Sequence, residues 1–181
     1  MSGDLAPSFE QAVRADDVSR ERRRELIECW MTVSNAGGAV GFPFPPVSGS
    51  EVEPVADRLI AGLDPRSSRL LFALVDGALA GWLNVRRDSH PVVMHWGTVS
   101  SVQTHPRFRG RGVGAGLMNR VRQIAAAEMG LEQLHLAARG GMGLEQFYAR
   151  LGWREVGRWP GALRFGPSDD RDEVLMLLAP L

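Results

Sequence analysis

Val102-Gln-Thr-His-Pro-Arg-Phe-Arg-Gly-Arg-Gly-Val-Gly-Ala-Gly-Leu-Met118 is the stretch whose reading decides the fold. Its first part continues a polar, β-compatible run, Thr98 to Thr104, that stops at His105-Pro106. Pro106 has no amide hydrogen and disfavours the helical region for His105, so a strand ends there. Gly110, Gly112, Gly114 and Gly116 then alternate, and Leu117, Met118, Val121, Ile124 and Ala125 recur at helical spacing. The stretch encodes a strand, a tight glycine turn and a helix. Such a turn aims several backbone N–H groups at one point, with the positive end of a helix dipole behind them. Its natural occupant is a phosphate or pyrophosphate.

Two phosphate-binding motifs fit badly, and the first is excluded. A Walker loop needs Lys after its last glycine, and this chain has no Lys: all 21 basic residues are Arg. The dinucleotide fingerprint G-x-G-x-x-G fails because Gly112-Val-Gly114 is followed by Leu117 where the third glycine belongs. What remains is Arg109-Gly-Arg-Gly112-Val-Gly114, an [Arg/Gln]-x-x-Gly-x-Gly/Ala turn. This resembles the coenzyme A pyrophosphate loop of the GNAT acetyltransferase superfamily. A ligand-free glycine turn is the plain alternative, but Arg109 and Arg111 embedded in it favour an anion.

Composition narrows the rest. The 181 residues suit one domain, 1–181, around one core. No apolar run is long enough to cross a membrane, and no charged-then-apolar leader opens the chain. One cysteine, Cys29, permits no internal disulfide, which fits a reducing cytoplasm. Net charge is zero and the arginines are scattered, so nucleic acid and membrane surfaces are poor partners. Association into a homodimer is compatible with the sequence.

Along the chain, Phe9 to Arg14 reads as a first strand and about 18–34 as a helix capped by Asp16 or Asp17. The Gly- and Pro-dense loop 35–50 carries Phe42 and Phe44 and reads as a lid. Val52 to Leu63 is a second helix, with Val55, Leu59 and Leu63 as its buried stripe. Arg69–Val75 and Ala78–Val85 form a hairpin around Asp76-Gly77. Val92 to Thr104 is a third strand, with a bulge expected near Gly97. A helix to about Glu128, a strand Gln133–Ala137, a helix Gly143–Arg150 and strands Trp153–Trp159 and Val174–Leu178 complete the chain, with a polar loop between the last two. The fold class is α/β (α+β), built on a mixed sheet. The superfamily has the same order: strand, two helices, three strands, helix, strand, helix, two strands.

Leu144-Glu-Gln-Phe147-Tyr148-Ala-Arg-Leu151-Gly152-Trp153 resembles the second signature of that superfamily, whose Tyr lies near the coenzyme A sulfur. A phenol there can donate a proton to the departing thiolate. The resemblance implies acetyl-CoA as acyl donor, with Val102, Gln103 and Thr104 offering backbone groups to the pantetheine arm. It further implies that Arg109, Gly110, Arg111, Gly112, Val113 and Gly114 hold the pyrophosphate, and that Tyr148 is the acid. The segments Ala36-Gly-Gly-Ala-Val-Gly-Phe42 and Val156-Gly-Arg-Trp-Pro-Gly161 are similar to small-molecule acetyltransferases of the tabtoxin-resistance type, which implies a small amine as acceptor. Family topology places Phe42, Phe44, His95, Trp96, Asp169, Asp170 and Asp172 near the acceptor mouth, the aromatics as a wall and the aspartates as an attractor for the ammonium.

The family pattern is broken in two places. Arg139-Gly-Gly-Met-Gly143 lacks the Asn that many members carry before the Tyr, and no carboxylate occurs from His90 to Ala127 to act as base. His90, His95 or a water relay remain for that role. A protein or peptide acceptor and a non-catalytic acyl-CoA-binding protein are the other readings.

Overall fold

The structure, a computed structural model, describes residues 6–38, 41–42 and 45–181. Phe44 lies outside the described residues. The elements are β1 (Ser8–Ala12), α1 (Arg20–Val33), α2 (Gly49–Ala61), β2 (Ser68–Val75), β3 (Ala78–Arg87), β4 (Trp96–Thr104), α3 (Val113–Ala127), β5 (Gln133–Arg139), α4 (Leu144–Arg150), β6 (Arg154–Arg164) and β7 (Asp170–Leu178). The strands form one sheet in the order β1-β2-β3-β4-β5-β7-β6. Every pairing is antiparallel except β4 with β5. This is the mixed α/β sheet expected from the element order.

Two apolar layers hold the sheet between its helices. The eight residues of β2 are all buried, because both its faces are covered. Leu71, Ala73 and Val75 enter the layer under α3, while Leu70, Phe72 and Leu74 enter the layer under α1 and α2. Asp76 and Gly77 turn β2 into β3 with φ of 52° and 78°, the left-handed pair that suits the strand twist. On the α1 side Trp82 is wholly buried, with the Trp30 ring edge-on at 4.8 Å. Truncating a ring so enclosed costs about 3–5 kcal/mol.

Several boundaries differ from the sequence expectation. The first helix is capped by Ser19, whose side chain accepts the Arg22 N–H at 3.1 Å. Asp17 instead accepts the N–H groups of Val13 and Arg14 in the preceding turn, at 2.8 and 2.9 Å. The α2 face that is fully buried is Val52, Ala56 and Ile60; Val55, Leu59 and Leu63 pack partly buried at its edge. The last hairpin is longer than expected: β6 and β7 absorb most of the polar stretch, so Asp170 and Asp172 stand on a strand.

The bulge lies at Ser101 rather than near Gly97. Asn84 pairs with Ser100 and Trp82 with Gln103, so Ser101 and Val102 face the single residue Leu83, and Ser101 takes φ 55°. A bulge bends its strand. Accordingly β4 pairs with β5 only through Trp96–Thr98 against Gln133–His135, and the two strands then part. Meanwhile β5 stays paired to β7 along Leu134–Arg139. The sheet is thus one ladder at its closed end and a wedge at the other.

Gly81, on β3 beside the bulged strand, makes the α3 side of this wedge possible. A Cβ there would lie 2.5 Å from the Gln103 carbonyl oxygen and 2.9 Å from Val113. Gly81→Ala is therefore expected to destabilise the fold by about 1–3 kcal/mol, read as a lower urea midpoint with unchanged slope. An unchanged midpoint would show that β3 and β4 can separate at no cost.

Candidate functional site

The wedge is the candidate site. It opens into a cleft of about 600 Å³ with Val99–Thr104 along one wall and Leu136–Arg139 along the other. The glycine turn, with Arg109, Gly110, Gly112, Val113 and Gly114, lines the cleft, as do Phe147 and Tyr148 of α4. The turn Ala36–Gly38 after α1 also reaches it.

At the glycine turn, Gly110 and Gly112 adopt φ of 78° and 75°, so the chain reverses directly into α3. Gly116 N–H donates to the Gly112 carbonyl at 2.8 Å as the first bond of the helix. The amides of Val113, Gly114 and Ala115 therefore have no acceptor within the helix and face outward. Gly114 is required for a different reason: a Cβ would come 3.3 Å from Phe147 and 3.4 Å from Thr104 Oγ1, so glycine lets α4 approach the start of α3. Arg111 turns aside, its guanidinium 5.8 Å from the Phe108 ring centroid, and is not part of the cleft wall.

Tyr148 is buried, with its ring 5.1 Å from Phe147 and 6.0 Å from Trp153. Burial pushes its phenol pKa up to about 12, so it holds its proton throughout the neutral range. Gln103 contributes more than its backbone. Its side chain shares the α1 face with Trp82, is 1% exposed, and leaves both amide atoms without a partner.

The expected acceptor wall is not assembled as the sequence implied. His95 precedes β4, and Trp96 stacks on His135 at 4.2 Å at the closed end of the wedge, where the strands are still paired. Phe42 packs edge-on against Trp30 at 5.5 Å as part of the α1 layer. Asp169 is bound to Arg171 at 2.6 Å, Asp170 to Arg164 at 2.7 Å, and Asp172 to Arg158 at 3.1 Å. The Gly161 N–H also donates to Asp172, at 3.0 Å. Those partners hold the three carboxyls below the usual carboxylate range: the Arg171 and Arg164 bonds for Asp169 and Asp170, the Gly161 amide foremost for Asp172. None of these six lines the cleft among the described residues. The reason is that the last hairpin is two paired strands laced by cross-strand ion pairs, not a loose acidic loop. His90, too, lies outside the cleft wall.

A sequence model of the Acetyltransferase (GNAT) family matches residues 19–153. The chain belongs to the GNAT acetyltransferase family. It is an acyltransferase of the acetyl-CoA-using kind. A GCN5-related N-acetyltransferase from Kribbella flavida shares the fold at a TM-score of 0.76, with 20% identity over 97% of this chain and 98% of that one. The yncA protein of Salmonella typhimurium, solved with its cofactor acetyl-CoA, gives 0.71, with 17% identity over 97% and 94%. A nourseothricin acetyltransferase is 28% identical over 65% of this chain and 68% of that one, with a TM-score of 0.55. None of the curated proteins matches the sequence.

The residues present suit acetyl-CoA. From Val99 onward β4 has no strand partner on the cleft side, which leaves a backbone edge that an extended pantetheine arm can extend as a further strand. The outward amides at the start of α3 and the Arg109 side chain are chemically fitted to a pyrophosphate. Replacing Gly112 with Val forces a side chain into φ 75° and turns those amides away. Acetyl-CoA affinity measured by calorimetry should fall about tenfold to a hundredfold, the worth of one hydrogen bond to a charged group, while the fold survives. Unchanged affinity would remove the turn from the binding site.

Proposed function

We propose that the protein transfers the acetyl group of acetyl-CoA to a primary amine of a small molecule, with donor and acceptor bound together. The observation that carries this reading is the buried, protonated Tyr148 in the wall of a cleft lined by both the glycine turn and the turn after α1. Acetyl-CoA supplies the acyl group as a thioester. Val102, Gln103 and Thr104 hold the arm along β4, and Arg109 with Gly110, Gly112, Val113 and Gly114 holds the pyrophosphate. The acceptor enters from the α1 side. As its nitrogen bonds to the carbonyl carbon, the C–S bond breaks and Tyr148 gives its proton to the departing sulfur; the proton that the new amide nitrogen sheds, carried by water, restores the phenol.

The 28% identity to a nourseothricin acetyltransferase supports a small acceptor. Direct transfer is favoured over an acylated cysteine. Cys29 is buried in the α1 layer, and burial pushes its thiol up to about 12, far from the thiolate a nucleophile needs. In the folded protein Cys29 should resist thiol reagents such as iodoacetamide; rapid labelling would reopen a two-step route. We assign the enzyme to the reducing cytoplasm on the strength of this single unpaired thiol.

Tyr148→Phe keeps the ring and deletes the proton. It should lower kcat by ~10²–10⁴-fold with little change in the KM for acetyl-CoA. An unchanged kcat would reduce Tyr148 to packing.

The titratable side chains among the described lining residues are Arg109, Arg139 and Tyr148, with no carboxylate or imidazole. The amine therefore sheds its proton to water before attack. At constant acetyl-CoA, kcat/KM should climb with pH along the acceptor's own amine titration, with no falling limb from Tyr148 below about 12. A bell with an acid limb near the ordinary range of a His or Glu would point to a side-chain base.

A further inference from the structure

The arginines around the cleft divide into two kinds. Arg158, Arg164 and Arg171 each hold a carboxylate within 3.1 Å. Arg139 has no ion pair among the described residues. It ends β5, a strand in which Leu134, Leu136 and Ala138 enter the α3 layer. By alternation His135, Ala137 and Arg139 belong to the α1 face, the side away from α3.

From there Arg139 lines the cleft and donates Nη2–H to the Gly37 carbonyl at 2.6 Å. Its guanidinium lies 4.6 Å from the centroid of the Phe165 ring, and its Nε is buried with no partner. Burial, then the Arg171 charge, lowers its pKa; Asp169 opposes this but is already held by Arg171. A guanidinium held over a ring and tied by Nη2 to one carbonyl, with Nη1 bonded to none of the described residues, is suited to an oxyanion. The rest of the lining agrees. Its only charged side chains among the described residues are Arg109 and Arg139, so a purely cationic acceptor meets positive charge at both ends and no acid. On the same sheet face, the unpartnered Gln103 amide can take up a further polar group of the acceptor.

We propose that the acceptor is an amine bearing a carboxylate or similar oxyanion, as in an α-amino acid, and that Arg139 binds that oxyanion at the acceptor end of the cleft. This rests on the reading of the site as a small-amine acetyltransferase. It replaces the attraction of an ammonium by the aspartates with the attraction of an anion by one arginine.

The test pairs α-amino acids with their primary amides, L-leucine with L-leucinamide and L-phenylalanine with L-phenylalaninamide, in a thiol-release assay at fixed pH. The wild type, Arg139→Gln and Arg139→Lys are compared through the ratio of kcat/KM for the acid to that for its amide. Taking the ratio between variants cancels the lower basicity of the amides. Arg139→Gln should cut this ratio about tenfold to a hundredfold, mainly through the KM of the acid, the worth of a hydrogen bond to a charged group. Arg139→Lys should restore part of it, since the charge stays but the planar fork is lost. Calorimetry with acetyl-CoA should give the same affinity for all three proteins, which establishes that each variant is folded. A ratio unchanged in Arg139→Gln overturns the inference and leaves Arg139 as a clamp on Gly37, while acetylation of the amides still upholds the small-amine reading. Acetyl-CoA binding without acetylation of any member of the panel, or of spermidine as a cationic acceptor, overturns both; acetylation of spermidine alone overturns only the role of Arg139.

Discussion

The parting of β4 from β5 is the constraint on which the rest of this structure depends. It is produced by one extra residue at Ser101, which bends β4 after only three paired positions. Without that bend the two parallel strands would satisfy each other's backbone groups and close the sheet. With it, Val99–Thr104 keep an unpaired edge inside the protein, where an unpaired backbone is costly unless something extended binds to it. The same divergence opens the cleft, which is lined from both layers, by Val113 and Tyr148 of the α3 layer and by Val33 of the α1 layer. The bulge residue itself sits at φ 55°, a conformation an ordinary side chain adopts at some cost. A binding edge is where such a cost is retained.

Burial does a second part of the chemistry. Tyr148 lies where Phe147, Trp153 and the α3 layer exclude water, so its phenol stays protonated far above neutrality. On the proposed mechanism the same water-poor surroundings raise the basicity of a thiolate formed beside the phenol, so the sulfur can take the proton as the C–S bond breaks. The desolvation that makes the phenol a weak acid therefore keeps it loaded for the moment when a sulfur needs it. No carboxylate or imidazole occurs among the described lining residues.

Charge is distributed by the same economy of partners. The last hairpin consumes its aspartates in ion pairs with Arg158, Arg164 and Arg171, most of them exposed and individually worth little. Their value is in aligning β6 and β7 rather than in binding a substrate. Arg139, one strand away, is spared from that network and is desolvated instead. In a protein of net charge zero, the charged side chains among the described cleft-lining residues are both cations, Arg109 and Arg139.

Local rules were sufficient to read much of this chain. The Asp76-Gly77 hairpin, the strand ended by Pro106, the glycine turn opening α3 and the element order follow from short-range preferences of Gly, Pro and alternating apolar residues. The Phe147-Tyr148 pair was legible because it falls on a helix of definite phase. Tertiary structure decided the remainder, since it depended on residues distant in sequence. Ser101 has no bulge signature, because its conformation is imposed by the pairing of Asn84 and Trp82 across the sheet. Asp169, Asp170 and Asp172 read as a free acidic run, yet Arg171, two residues on, binds Asp169, and the hairpin register sets Arg164 and Arg158 against the other two. Arg139 carried no motif at all; only the fold brings it to the cleft against Phe165 and the Gly37 carbonyl, with no carboxylate partner among the described residues. Sequence alone determined where the backbone could turn and which faces were apolar, for those are properties of each segment. Which charges were cancelled and which were left facing the cleft is a property of contacts between segments, and only folding decides it.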